Sequence, residues 1–422
     1  MNVNNMTEEA GFLSKQMRPF LIIFSGQSFS LFGSRLVQFA LVWYLTSQTG
    51  SAQVLTTASI VAIVPQVLIG PFAGALVDRW NRRRVMMISD SLIAAAIMLL
   101  AVMFALGRVE IWHIYLVMLF RSVGGAFQWS AMQASTSMMV PRGHLSRIAG
   151  LNQSLQGLVN IVAPPTGALF LEILPIQYVL ALDVLTAILA VGPLVFISIP
   201  QPERDATDAK GVLSDMREGF SWLWSKKPLV IIMGISLMIN LVITPAFTLL
   251  PLLITTYFKG GAIELALVQS ANGLGMILGG ITLGIWGGFK SKSRTAFTAI
   301  LIGSFGLIGF SQTPADMFWL GVFFIFVFGF MNAIGNSSFF SVLQTVVPFE
   351  IQGRVFTLVM ATSGAIAPIG LAIGGPVAEL VGIRFWFVIA GINIFIGSLL
   401  GLIIPGIKNL EKELQAPQSE ET

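Results

Sequence analysis

Long apolar stretches alternate with short polar or charged connections from residue 20 to residue 404. Most of these stretches reach the roughly 20 residues that an α-helix needs to cross the hydrocarbon core of a bilayer. The pattern therefore predicts an all-α polytopic membrane protein with twelve transmembrane helices. The stretches are residues 20–45, 52–77, 85–106, 112–132, 148–171, 178–199, 229–255, 265–289, 296–310, 317–341, 355–378 and 385–404.

Composition supports this prediction. Of the 422 residues, 55% are hydrophobic and 10% are charged, which is far from the balance of a soluble domain. The net charge of +4 does not indicate nucleic-acid binding, because the basic residues stand at the ends of apolar stretches rather than along one face. The sequence has no cysteine, so disulfides and thiolate metal sites are excluded.

A basic cluster at residues 79–84 follows the second apolar stretch and sets the orientation. Lys and Arg in short loops stay on the cytoplasmic side of the membrane. With both termini inside the cell, 19 of the 24 Lys and Arg residues are cytoplasmic and three lie in outer loops, while Arg35 and Arg121 lie within predicted helices. We therefore expect a multi-pass protein of the bacterial inner membrane with cytoplasmic termini.

The longest polar interruption divides the chain into two halves. It is rich in charge and then carries Phe220, Leu223 and Trp224 at helical spacing, which predicts a linker with an amphipathic helix on the inner surface. The predicted organisation is a six-helix half over residues 1–199, a cytoplasmic linker over 200–228, a second six-helix half over 229–405 and a cytoplasmic tail over 406–422.

The two halves repeat each other. Residues 74–84, GALVDRWNRRR, have a counterpart in residues 284–294, GIWGGFKSKSR, with glycine and basic residues at matching places. Asp78 of the first copy is replaced by Gly288 in the second. Six-helix pseudo-repeats are typical of transporters in which the cargo path runs between the halves.

The first copy resembles the loop signature of the major facilitator superfamily, in which glycine is followed by Asp-Arg and then by basic residues. Asn81 stands where the family has glycine, and we expect it to keep the turn because asparagine tolerates a left-handed backbone. The resemblance implies a latch between the halves on the cytoplasmic side. The alternative is a loop that only sets topology.

Six residues are assigned to this cytoplasmic gate. Asp90 is included because we expect it to pair with a loop arginine such as Arg147. The set is Gly74, Asp78, Arg79, Arg82, Asp90 and Arg147.

Two more stretches carry the resemblance. Arg121 is followed four residues later by Gly125, as in the fourth helix of the family, and residues 163–168 are similar to the motif that bends the fifth helix of antiporters. In the second stretch alanine replaces two glycines, and helix packing explains it equally well. Across the chain the pattern is similar to the bacterial macrolide-efflux-like drug exporters.

Charged side chains inside a bilayer need a partner or a role. Proton coupling requires a carboxylate that can load and release a proton near neutral pH. Asp183 is the leading candidate, and a static ion pair is the alternative. We assign coupling to Arg121, Asp183 and Arg35.

The resemblance implies a central cavity lined by the first, fourth, seventh and tenth helices. Such sites are apolar with a few polar groups that orient the ligand, although each amide could equally bond a neighbouring helix. The first helix has no acidic residue, so neutral or anionic cargo is expected beside Arg35. The predicted cargo-binding residues are Gln27, Gln38, Gln128, Trp129, Asn240, Phe247, Asn332 and Asn336.

Other classes of function fit less well. An enzyme would need a metal or an activated nucleophile, yet HExxH and GxSxG are absent and His113 and His144 fall outside the apolar stretches. An ATP-driven pump would need GxxxxGK[ST], which is also absent. A transport-dead receptor of the same fold would not need Asp78 or Arg121.

The sequence therefore predicts a secondary transporter that exports hydrophobic drugs or secondary metabolites by alternating access and proton antiport. An uptake carrier or uniporter is the alternative. The expected partners are a hydrophobic small molecule, protons and membrane lipids. We expect a monomer without a cofactor, a metal or a nucleic-acid partner, driven by the proton gradient.

Overall fold

The computed structural model describes residues 17–201 and 220–408, and the secondary structure in these ranges is helical. The twelve long helices are α1 (Arg18–Thr49), α2 (Ala52–Arg79), α3 (Arg82–Ala105), α4 (Ile111–Met139), α5 (Leu145–Ile173), α6 (Ile176–Phe196), α7 (Lys227–Thr248), α9 (Ala262–Trp286), α10 (Lys292–Gln312), α11 (Phe318–Val346), α12 (Phe349–Val381) and α13 (Ile383–Ile403). Two short helices are α8 (Leu250–Thr256) and α14 (Pro405–Lys408), and Arg142–His144 forms a 3₁₀ turn.

The twelve long helices match the twelve predicted stretches, so the predicted fold class is confirmed. Eleven of them are long and apolar enough to cross a membrane. The other is α4, whose sequence contains Arg121 and Gln128. Most of the predicted linker helix and the tail from residue 409 onward lie outside the described residues, although residues 220–225 are helical.

Most helices are longer than the predicted stretches, and one stretch is divided. The stretch 229–255 is divided at Leu249 into α7 and α8, because Pro251 has no N–H with which to continue the helical hydrogen bonds. The stretch 296–310 lies in the longer α10, which begins at Lys292 and ends at Gln312. The polar residues at the two ends of α10 lie outside the predicted stretch, because that stretch was defined by hydropathy.

Packing groups the chain into two compact units. Among the described residues, the first unit contains 17–41 and 61–201, and the second contains 42–60 and 220–408. The predicted boundaries at residues 199 and 229 concern the order of helices along the chain and stay a prediction.

In the first unit, α3 packs against both α4 and α6. Ile23 of α1, Met86 of α3 and Leu194 of α6 meet in one buried apolar cluster. Residues 163–168 of α5 pack closely against α1. A Cβ at Gly167 would lie 2.9 Å from the ring of Phe39. This contact fits the packing explanation of residues 163–168.

In the second unit, α11 packs against both α9 and α10. Gly275 and Gly279 on one side of α9 bring its backbone against that of α11, where a Cβ on Gly279 would overlap the carbonyl oxygen of Phe330. Small residues at such a crossing let two membrane helices approach closely.

We expect Gly279→Ala to lower the free energy of unfolding by about 2 kcal/mol, because the added methyl must separate two backbones. Thermal unfolding in detergent measures this change. Gly280→Ala is the matched control, since nothing lies within 4 Å of its Cβ position. Equal melting temperatures for the two variants would contradict the close approach of α9 and α11.

Candidate functional site

A buried ion pair joins three helices of the first unit. Arg121 Nη1 of α4 lies 3.2 Å from Asp183 Oδ2 of α6, and its Nη2 donates to the backbone carbonyl of Ser34 in α1 at 2.8 Å. The Ser34 hydroxyl donates to Asp183 Oδ1 at 3.1 Å. The Asp183 side chain is 3% exposed. Both carboxylate oxygens of Asp183 therefore have donors, and the arginine that sequence analysis placed in the membrane has the partner it requires.

A second carboxylate in this unit has a different environment. Asp90 of α3 is 6% exposed, and its Oδ2 accepts a hydrogen bond from the Gln27 side-chain amide at 2.9 Å. Gln27 Oε1 in turn accepts from the Gln128 amide at 2.6 Å. These three residues form the Gln128–Gln27–Asp90 chain, which crosses from α4 through α1 to α3.

This arrangement corrects the expected role of Asp90. We had placed Asp90 in the cytoplasmic gate, paired with a loop arginine such as Arg147. In the structure, the Asp90 carboxylate instead accepts a hydrogen bond from Gln27, because Asp90 lies two turns inside α3 and faces α1. Arg147 lies in the first turn of α5.

Two cavities meet at the amide chain. The polar lobe, of about 390 Å³, is lined by Arg35, Gln38, Asp90 and Arg121 among others. The apolar lobe, of about 290 Å³, is lined by Phe24, Trp129, Met132 and Leu155 among others. Gln27, Leu31 and Gln128 line both lobes. The two lobes thus bring together the six binding or coupling residues predicted in α1 and α4 and add Asp90; the six are Gln27, Arg35, Gln38, Arg121, Gln128 and Trp129.

Three of the predicted amides gather in the second unit. Asn240, Asn332 and Asn336 line one cavity of about 290 Å³. Asn336 donates to Asn332 Oδ1 at 2.9 Å, and Asn240 donates to the Ser236 carbonyl at 2.9 Å. Phe247 lines a different cavity of this unit, which shares Asn332 with the first. Part of the hydrogen-bonding capacity of these amides is thus used within their own helices.

Sequence analysis missed the polar contacts made by two serines. Ser34 completes the ion pair, and Ser122 inserts its hydroxyl into α2, where it accepts from the Gln66 N–H and donates to the Ala62 carbonyl. This insertion lies beside Pro65 and replaces one turn of backbone bonding. Serines are frequent throughout the chain, and the neighbouring arginine was the available signal for Ser122.

The loop signature forms a compact turn between α2 and α3. Asp78 lies 3.4 Å from Arg82, one helical turn away, and Arg83 donates to the carbonyls of Leu194 and Val195 at the end of α6. Arg82 is buried, whereas Arg79 is exposed. Gly74 has open space at its Cβ position.

Asn81 does not adopt the expected left-handed backbone. Its φ of −70° and ψ of 107° are extended, and its side chain accepts from the Arg84 N–H as the N-cap of α3. Ser291 caps α10 in the same way at the equivalent place, accepting from the Arg294 N–H. Asn81 thus acts as a helix N-cap, a position at which asparagine is among the preferred residues.

No group of three or more His, Asp or Glu side chains in the described ranges is arranged to hold a metal ion. Twelve long apolar helices that hold charged side chains within their packed units define a polytopic membrane transporter. The chain belongs to the Major Facilitator Superfamily, whose sequence profile matches residues 23–259. The resemblance inferred from the loop and from Arg121 is therefore confirmed.

Relatives and a solved structure agree with this assignment. The chain is 31% identical over 399 residues to Macrolide efflux protein A of Streptococcus pyogenes, covering 93% of this chain and 96% of that protein. It is 24% identical over 405 residues to Multidrug efflux pump Tap of Mycolicibacterium fortuitum, covering 93% and 97%. A bacterial homologue of the iron transporter ferroportin in an inward-facing state shares the fold, with a TM-score of 0.72 and 13% identity over 91% of this chain and 98% of that one.

We expect Asp183→Asn to lower the free energy of unfolding by about 3 kcal/mol, because it leaves the Arg121 guanidinium buried without a counter-charge. Chemical or thermal unfolding in detergent measures the loss. The double variant Arg121→Met with Asp183→Leu removes both charges and should be more stable than Asp183→Asn. A single variant as stable as the wild type would contradict a structural ion pair.

We expect Asp78→Asn to impair transport while changing stability by less than about 1 kcal/mol, because the Asp78 side chain is 70% exposed and its carboxylate is solvated, although its partner Arg82 is buried. Asp316→Asn, in the exposed connection between α10 and α11, is the matched control. Gly288→Ala is not a silent control: Gly288 has a φ of +78°, and a Cβ there would lie 3.0 Å from Thr295. Equal transport by the Asp78 and Asp316 variants would argue against a latch.

Proposed function

We propose that this protein exports hydrophobic drugs or secondary metabolites by alternating access, in exchange for protons. The observation that carries the proposal is the junction of an apolar and a polar lobe in the first unit. An amphiphilic molecule can place its apolar body beside Trp129 and Met132 and its polar groups beside Gln27 and Gln128. Macrolide and multidrug efflux proteins among the relatives support export of compounds of this kind.

The charges of the polar lobe indicate which cargo fits. Arg121 is neutralised by Asp183, whereas Arg35 has no hydrogen-bond or ion-pair partner among the described residues. Cargo that presents a hydrogen-bond acceptor or an anionic group to Arg35 would therefore be favoured over cargo that presents a cation there.

The remaining expectations belong to the same proposal. The protein would reside in the bacterial inner membrane as a monomer with both termini in the cytoplasm. The Asp78 loop would hold the two halves together on the cytoplasmic side, and the amides of both units would contribute to cargo binding. The proton gradient would supply the energy for transport. The protein would need no cofactor.

A transport assay with purified protein in liposomes tests the proposal. With an acidic lumen and inside-out protein, we expect uptake of radiolabelled erythromycin, and dissipating the pH gradient should abolish it. Uncharged and anionic hydrophobic compounds are compared in parallel. If the transport rate of every compound is independent of the pH gradient, the protein is a uniporter. If cargo and protons move in the same direction, it is an uptake carrier.

We expect Trp129→Ala to reduce cargo affinity about tenfold, because the indole is 46% exposed and lines the apolar lobe. Concentration-dependent transport or binding measures this change. Trp319→Ala is the matched control, since Trp319 is 69% exposed at the beginning of α11 and lines neither lobe. Unchanged affinity in the Trp129 variant would place the cargo elsewhere.

A further inference from the structure

Asp183 is poorly arranged to exchange a proton. Its two oxygens accept from Arg121 and Ser34, and the same arginine holds the backbone of α1. Protonation would remove the counter-charge of a guanidinium that is itself largely buried. It would also loosen the junction of three helices. The arrangement is that of a permanent brace.

Asp90 has the opposite properties. It is buried, it accepts one hydrogen bond from a neutral amide, and it forms no ion pair within the described residues. The charged groups that share its surroundings are Asp183 of α6, Arg121 of α4 and Arg35 of α1. None of them lies within ion-pair distance of Asp90. A carboxyl group in such a place can become neutral without leaving a buried cation unpaired.

The amide chain connects the charge of Asp90 to the cavity. While Asp90 is ionised, the Gln27 NH₂ group faces it and the Gln27 carbonyl accepts from the Gln128 NH₂ group. The Gln128 carbonyl is then available to the lobes that Gln128 lines. Gln128 therefore presents a hydrogen-bond acceptor to cargo in this state.

Protonation allows the direction of both bonds in the chain to reverse, because the carboxyl group gains an O–H donor. A neutral Asp90 donates its O–H to the Gln27 carbonyl, so the Gln27 NH₂ group turns toward Gln128. The Gln128 carbonyl accepts that bond, and its NH₂ group faces the cavity instead. A cargo hydroxyl that donates to Gln128 thus binds better while Asp90 is ionised, and binding and protonation oppose each other.

We propose that Asp90, and not Asp183, carries the exchanged proton, and that the Gln128–Gln27–Asp90 chain transmits cargo binding to it. The cargo group recognised by Gln128 is a neutral hydrogen-bond donor, a hydroxyl. The inference rests on the proposed proton antiport. It specifies which side chain takes the proton and how cargo displaces it.

Infrared spectroscopy of the reconstituted protein tests the proton site without any cargo. Difference spectra between acidic and alkaline buffer should show the C=O stretch of a titrating buried carboxylic acid. The band should persist in the double variant Arg121→Met with Asp183→Leu and in Asp316→Asn, and it should vanish in Asp90→Asn. A band that persists in Asp90→Asn, or that is missing from the wild type, overturns the inference.

Proton release tests the connection to cargo. Adding erythromycin to wild-type protein in weakly buffered detergent solution should acidify the medium, and Asp90→Asn should show at least a tenfold smaller change. Gln128→Met leaves the Gln27–Asp90 bond in place, so it should keep the infrared band and lose proton release. Release by Gln128→Met at the wild-type level would refute the amide chain.

The two failures are distinguishable. If the infrared band belongs to Asp90 but no compound is moved by a pH gradient, the proposed antiport is wrong. If pH-driven transport occurs in the wild type and persists undiminished in Asp90→Asn, the antiport stands and the assignment of its proton to Asp90 is wrong. Melting temperatures of all variants exclude loss of fold as the cause.

Discussion

The absence of water in the bilayer core governs the interior of the first unit, and the Arg121–Asp183 ion pair is its clearest consequence. A guanidinium among apolar helices needs a counter-charge or a polar cavity, and the Arg121 guanidinium has a counter-charge and a backbone acceptor. One side chain from α4 therefore fixes α6 through Asp183 and α1 through the Ser34 carbonyl. Because α1 and α4 are held together, the polar lobe that they line with α2 and α3 has defined walls.

Hydropathy and charge were sufficient to predict the twelve-helix architecture from the sequence. Twelve apolar stretches correspond to twelve long helices, and the repeat between residues 74–84 and 284–294 reappears as two matching helix caps at Asn81 and Ser291. These features are local, since they depend on residues close together in sequence. The same locality explains why the need of Arg121 for a counter-charge was predictable from its position in an apolar helix.

The pairing of distant side chains was not predictable in the same way. Asp90 was assigned to the cytoplasmic gate because a loop arginine was the expected partner, whereas its partner Gln27 lies 63 residues earlier. The direction that a helical side chain faces decides such contacts, and α3 has apolar residues on more than one face. The predicted backbone conformation of Asn81 was wrong for another reason. Asparagine is favoured both at the extended N-cap of a helix and in a left-handed turn, so the residue type alone does not distinguish the two conformations.

The two embedded carboxylates show how environment can give one residue type two roles. Asp183 is held by a cation and a hydroxyl, so its charge is part of the packing of three helices. Asp90 is held by an amide that can turn, and an amide offers a donor on one side and an acceptor on the other. A fixed ion pair preserves the geometry of the lobe while the neighbouring chain changes direction. A proton can then alter what the cavity presents to cargo without disturbing the helices that form it.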